Sequence, residues 1–299
     1  MIVLIGISFL TFCLIYISPG DPAQVMLTES GHIPTEELLN ETRHELGLDK
    51  PFYIQYWKWL YNVLCGNFGK SYSFKTSVIE KIKEAFIPTL ALSFMSLLIM
   101  CIISIPLGIL AAIKENKWQD YVIRAMTFIG MSIPSFWLGL VLLSIFGVKL
   151  KIVPVSGGTA DFRSIILPAI TIAVAMSAKY IRQIRHIVIE ELNKKYVVGA
   201  RMRGIKEIDI LYKHILPNSM IQIITLLGLS LGSLLGGTAV VEIVYNWPGM
   251  GKMAVKAIST QDYPLIQAYI LIIAFLYLIL NIIVDISYKY LDKRVEEVL

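Results

Sequence analysis

Six apolar stretches separated by polar connections constrain this 299-residue chain more than any other feature of it. A helix needs roughly 20 apolar residues to span the hydrocarbon core of a bilayer. Residues 2–17, 87–113, 122–148, 165–181, 220–241 and 265–286 meet or approach that length. Charged residues make up only 16% of the sequence, against roughly 25% in a soluble domain. A cytosolic enzyme and a disordered chain are thereby excluded. Cys13, Cys65 and Cys101 are too few and scattered for a disulfide-stapled secreted scaffold. The expected fold class is an all-α polytopic membrane protein with six transmembrane helices.

The first stretch is short and stops at Ser18-Pro19-Gly20-Asp21-Pro22, which cannot continue a helix. It lacks the basic start and small-residue cleavage site of a signal peptide, so it reads as a first span. Its missing basic flank suggests a native start upstream, or an unusually short helix. Orientation follows from Lys and Arg in the connections. With the N-terminus inside, the inner stretches 114–124, 179–213 and 289–294 hold three, nine and three basic residues. The short outer connections, 149–163 and 242–262, hold three and two. Both termini are therefore expected in the cytoplasm. The net charge of +5 belongs to those loops, and no nucleic-acid face is expected.

This topology places 18–86 outside. Thr35 to Leu46 reads as a helix, with Glu36 and Glu37 in its first turn and Gly47 just past its end. Pro51 opens a second helix whose Phe52, Tyr53, Tyr56, Trp57, Trp59 and Tyr61 suit anchorage at the lipid interface better than a substrate-gripping patch.

Few motifs carry chemistry. Gly66-Asn67-Phe68-Gly69-Lys70-Ser71 resembles a phosphate loop but has two residues between its glycines where four are needed. His32, His44, His186 and His214 have no metal-ligand spacing, and no catalytic constellation exists. No cofactor or metal bound by this chain is expected. Gly228, Gly232 and Gly236 share one helix face, which either packs tightly on a neighbour or lines a path. Pro134 should kink the third span, with Ser132 or Ser135 satisfying the freed carbonyl. Asn281 and Asp285 are polar where few such residues are tolerated. A proton-carrying Asp285 would suit a secondary transporter, but no internal repeat supports one.

The stretch 182–217 is too polar to span and too well patterned to be a loose loop. Gly204 can break a helix after Gly199-Ala200-Arg201-Met202-Arg203, and 205–215 restarts it with Ile208, Leu211 and Ile215 on one side. A basic helix–Gly–helix of this kind suits docking of a soluble partner.

These residues resemble the cytoplasmic loop of ABC-importer permeases, E-A-A-x3-G-x9-I-x-L-P. Ala200, Gly204, Leu216 and Pro217 match; Gly199 replaces the first Ala, Val198 the Glu and His214 the Ile. The dipeptide/oligopeptide/nickel branch is similar more closely still, with Tyr196-Val197, Ala200-Arg201, Gly204, His214, Leu216 and Asn218 in register. The likeness continues at Leu46-Gly47-Leu48-Asp49-Lys50-Pro51, Ile133-Pro134-Ser135-Phe136-Trp137, Trp247-Pro248-Gly249-Met250-Gly251 and Asp262-Tyr263-Pro264. It ends at Leu291-Asp292-Lys293-Arg294.

The resemblance implies a type I importer permease fold: a first helix at 1–17, an outer segment at 18–86 and a five-span core at 87–299. It implies partners: a second, similar permease, two ATPase subunits carrying ATP and Mg, and an extracytoplasmic binding protein, all about the lipid bilayer. Tyr196, Gly199, Ala200, Arg201, Arg203, Gly204, His214, Leu216 and Pro217 would form the ATPase-coupling loop. Trp247, Pro248, Gly249 and Gly251 would sit in an outer re-entrant connection, 242–264. The wording looks closest to nickel permeases, at Ala200–Gly204 and Gly236–Glu242, with peptide permeases differing little there.

Overall fold

The computed structural model describes residues 2–17, 20–29, 31, 33–154 and 162–291, so Pro19, His32 and the 292–294 end of the matched pattern lie outside the described residues. In chain order the helices are α1 (Ile2–Ile17), α2 (Pro22–Glu29), α3 (Glu36–Leu46), α4 (Phe52–Leu64), α5 (Val78–Ile113), α6 (Trp118–Ser132) and α7 (Ser135–Leu142). Then follow α8 (Phe162–Leu192), α9 (Lys195–Met202), α10 (Glu207–Ile210), α11 (Leu216–Gly237), α12 (Ala239–Val244), α13 (Met250–Ser259) and α14 (Tyr263–Leu291).

Among the described residues four helices are long and apolar enough to cross a membrane, in α5, α8, the α10–α11 run and α14. Counting each of two sharply bent pairs as one span raises the number to six. They are Val3–Ile17 with Pro22–Glu29, at 77°, and Trp118–Ser132 with Ser135–Lys149, at 96°. All six apolar stretches are mainly helical, with breaks at 133–134 and at Thr238.

Two spans depart from their expected form. The third is not a kinked helix but two helices. Ile133, preceding Pro134, adopts φ −88 and ψ 121, because the proline ring disfavours the helical conformation in the residue before it. Ser132 Oγ donates to the Phe128 carbonyl at 3.0 Å, its own i−4 partner, and not to the Gly130 carbonyl that Pro134 leaves without an amide donor. The fourth span does not stop near Ile181 but continues as helix to Leu192. Its buried face, Ile181, Ile184, Val188 and Glu191, keeps helical spacing beyond the apolar stretch.

The chain divides into two compact units. One comprises Met1–Thr89 with Pro248–Leu278. In it α4 lies on α1 through aromatic rings: Phe9 and Phe12 meet Tyr56 edge-on at 5.5 Å, and Phe12 meets Trp59 at the same separation. Ser8 and Tyr56 hydroxyls share a hydrogen bond of 2.9 Å. Half of the expected interfacial aromatics thus pack inward, while Tyr53, Trp57 and Tyr61 stay exposed. Helical periodicity divides them, since 52, 56 and 59 lie on one face of α4. The Gly66–Ser71 loop is held on Asp262, whose carboxylate accepts from the Ser71 and Ser73 hydroxyls. Burial, with Asp262 and Tyr263 beside it, pushes the Tyr72 phenol up to about 12.

The other unit comprises Leu90–Trp247 with Ile279–Leu299. Its centre is the crossing of α5 and α8 at Gly108, where an added Cβ would lie 2.7 Å from Ile184 Cγ2 and 3.1 Å from the Ile181 carbonyl. Backbone approach of that kind demands glycine. Replacing Gly108 with valine is expected to cost roughly 1–3 kcal/mol or more by overpacking. The check is a lowered thermal unfolding midpoint of the purified protein in detergent, with Gly236→Ala, in open space, left near the parent value.

Candidate functional site

The connection from α8 to α11 is folded on three fully buried anchors. Val197 of α9, Ile210 of α10 and Ile215 just before α11 join Ile184, Val188, Met100 and Ala112 in one apolar cluster. Ile208, expected on one side with Leu211 and Ile215, does not join them in this cluster and is 62% exposed. The reason is a π-helical turn at Leu211–Ile215, in which residues five apart replace those three or four apart as face partners. Ile210 and Ile215 therefore point inward together.

A polar clasp ties the ends of the connection. Glu191, almost wholly buried near the end of α8, pairs with Lys194 at 2.6 Å and accepts from the Tyr196 hydroxyl at 2.6 Å. Asn218 Nδ2 in turn donates to the Tyr196 oxygen at 3.2 Å and to the His214 carbonyl at 2.8 Å. Tyr196 thus links three helices. His214 itself is exposed, as is Pro217, which fits the first turn of α11 where no amide donor is needed.

Gly204 ends α9 at φ +74. Its N–H bonds the Arg201 carbonyl at 3.0 Å and the Ile205 N–H reaches back to Ala200 at 3.3 Å. This pair of bonds is a Schellman end, which places the residue after the cap in the left-handed region. The Ala-x3-Gly spacing is the sequence image of that geometry. Arg201 bridges the same turn with a two-pronged ion pair to Glu207, at 2.7 and 3.2 Å. Gly199 has open space where a Cβ would go.

The outward side is both apolar and basic. Residues 201–208 are exposed without interruption, including Arg203 and Lys206. Met202 is 83% exposed, and Val198 and Tyr212 also lie open. Runs of exposed apolar surface rimmed by charge mark interaction sites more often than ordinary surface. Beneath Arg201, Glu207 and Ile208 lies a cavity of about 410 Å³ reaching Ile113 and Asn193.

The remaining candidates separate. Gly228 packs on α14, where a Cβ would come within 2.6 Å of Val284. Gly232 is buried, but Gly236 faces open space, so the glycine face is a packing surface at one end and free at the other. Trp247 is buried with Leu92, Ile165 and Tyr245 in a core cluster. Glu242, fully buried, accepts from Thr238 Oγ1 at 2.9 Å, and its carbonyl receives the Trp247 N–H at 2.7 Å. Pro248 is exposed, whereas Gly249 and Gly251 are buried at the start of α13. Asp285 is exposed on α14.

Two elements escaped the sequence reading. Asp120, fully buried, holds Arg185 with two bonds of 2.7 Å between α6 and α8. Glu191 is the other. For each the available signal was a charge placed on the inward face of a helix, one turn beyond its apolar residues.

Residues 104–297 match the family described as the binding-protein-dependent transport system inner membrane component. Residues 1–93 match the N-terminal segment of such membrane components. The chain belongs to this family. The permease is 38% identical to the metal-staphylopine import system permease protein CntB of Staphylococcus aureus, over 98% of this chain and 94% of that one. It is 35% identical to the glutathione transport system permease protein GsiC of Escherichia coli, over 97% and 93%. With the probable D,D-dipeptide transport system permease protein DdpB of Escherichia coli it shares 33%, over 99% and 94%. Among solved structures, the inward-facing MetNI methionine ABC transporter aligns at a TM-score of 0.59 and 17% identity, over 69% of this chain and 94% of that one. That likeness shows the fold, a type I importer permease. The permease is thus a membrane-embedded transport subunit of an ABC importer.

Proposed function

We propose that this permease forms, with a second permease, the path of an ATP-driven importer for nickel, free or as a chelate. Likeness to a metal-staphylopine permease across nearly the whole chain carries the reading. A peptide cargo is the second reading, favoured by the similarity to the probable D,D-dipeptide permease. An outside binding protein would deliver the cargo, and two ATPase subunits binding ATP and Mg would seat the exposed 195–217 surface. Both termini would then lie in the cytoplasm.

The mechanism follows from how the loop is anchored. ATP binding closes the paired ATPases and moves the docked α9 and α10. Val197, Ile210 and Ile215, packed against α8 and α5, pass that displacement to the spans as a rigid unit, because a close-packed core transmits strain. The path alternates between inward- and outward-open states whose balance ATP and the loaded binding protein bias.

The test is uptake into proteoliposomes holding both permeases and both ATPases, with binding protein outside and ATP inside. Radiolabelled nickel, with and without chelators, is compared with a labelled dipeptide. ATP-dependent nickel accumulation is expected. Dipeptide accumulation alone contradicts the nickel assignment.

A further inference from the structure

A cavity of about 550 Å³ opens between α6 and α8, lined by Arg124, Arg182, Arg185 and Glu115 at one end and by Phe128 and Met131 at the other. Arg185 uses Nε and Nη2 on Asp120, whose second oxygen also accepts the Asn116 N–H at 3.0 Å. That carboxylate is therefore filled. Glu115 lies 3.8 Å from Arg185. Three guanidinium groups thus face two carboxylates, and Arg124 and Arg182 both reach solvent. The excess is positive.

The other end is apolar. Residues 124, 128 and 131 share one face of α6, so Phe128, 75% exposed, and Met131, 47% exposed, lie one and two turns along from Arg124. The face changes from cationic to apolar along a membrane helix. A free phosphate would fill only the first part. A phospholipid satisfies both, with its phosphodiester accepting from the arginines and an acyl chain lying along Phe128 and Met131.

We propose that this cavity holds the headgroup of an anionic phospholipid of the inner leaflet, clamped by Arg124 and Arg182 while Arg185 stays fixed to Asp120. The leaflet rests on the topology proposed above, but the binding does not. Basic pockets between membrane helices on the cytoplasmic side suit such headgroups.

The assembled transporter is placed in nanodiscs of phosphatidylcholine with phosphatidylglycerol titrated in, and retained lipid is counted by native mass spectrometry. Both leaflets are then alike, so the result is independent of orientation. The Arg124→Gln/Arg182→Gln variant is expected to lose one tightly held phosphatidylglycerol. Its affinity should fall about fivefold per arginine, roughly thirtyfold in all. Arg124→Lys/Arg182→Lys should retain that lipid, which separates headgroup charge from misfolding. Wild-type retention in the Gln variant overturns the proposal. So does a loss shared equally by the Gln and Lys variants, or displacement of the lipid by millimolar glycerol phosphate. Failure of the importer reading appears separately, as uptake without ATP in proteoliposomes.

Discussion

Gly204→Val is expected to abolish transport-coupled ATP hydrolysis while leaving the permease in the membrane. At φ +74 a side chain costs roughly 1–2 kcal/mol, and a β-branched one sits at the upper end or beyond. No neighbour lies within 4 Å of the added carbon, so packing is not the cause of the loss. What fails is the Schellman end: without it Arg201 and Glu207 cannot both keep their bonds across the turn, and α9 and α10 lose their mutual angle. Binding-protein-stimulated ATPase activity and uptake should both fall to the unstimulated level, with membrane abundance unchanged. Undiminished stimulation would mean that residues 195–217 do not couple ATP hydrolysis to transport.

The largest expected stability effect lies at Arg185. Replacing it with alanine strands the carboxylate of Asp120, which is fully buried. Removing one partner of a buried ion pair costs about 3–5 kcal/mol when the other charge is left without compensation; Asp120 keeps the Asn116 N–H, which places the expected cost toward the lower end. The thermal unfolding midpoint of Arg185→Ala should therefore drop well below that of the parent. Asp120→Asn/Arg185→Met, which removes both charges together, should recover much of the loss. A single variant as stable as the parent would show that the pair does not hold α6 to α8.

Much of this architecture was legible because the bilayer imposes a coarse length rule. Every apolar stretch is mainly helical, and Thr35, Gly47 and Pro51 frame their helices where capping chemistry puts them: Thr35 Oγ1 accepts from Leu38 N, and Gly47 is left-handed. The loop was legible at Gly204 for a similar reason, since a left-handed turn restricts residue choice to very few types. Legibility failed where three-dimensional register matters. The π-helical turn at Leu211–Ile215 shifted the inward face from Ile208 to Ile210, and no period-3.6 reading of the sequence reveals such a turn. The break at Pro134 was visible, but its 96° bend was not, because a proline fixes local torsions and leaves the angle to the packing around it. Asp120 and Arg185 lie 65 residues apart in the chain. Only the packing of α6 on α8 makes them a pair.

The most direct test of the account is a photo-cross-link from position 202. Met202 is 83% exposed at the end of α9, and replacing it with benzoylphenylalanine leaves the buried anchors untouched. In the assembled importer, irradiation should join this position to an ATPase subunit, with a yield that changes when ATP is added. A cross-link to the binding protein instead would place the loop on the opposite side of the membrane and contradict the account.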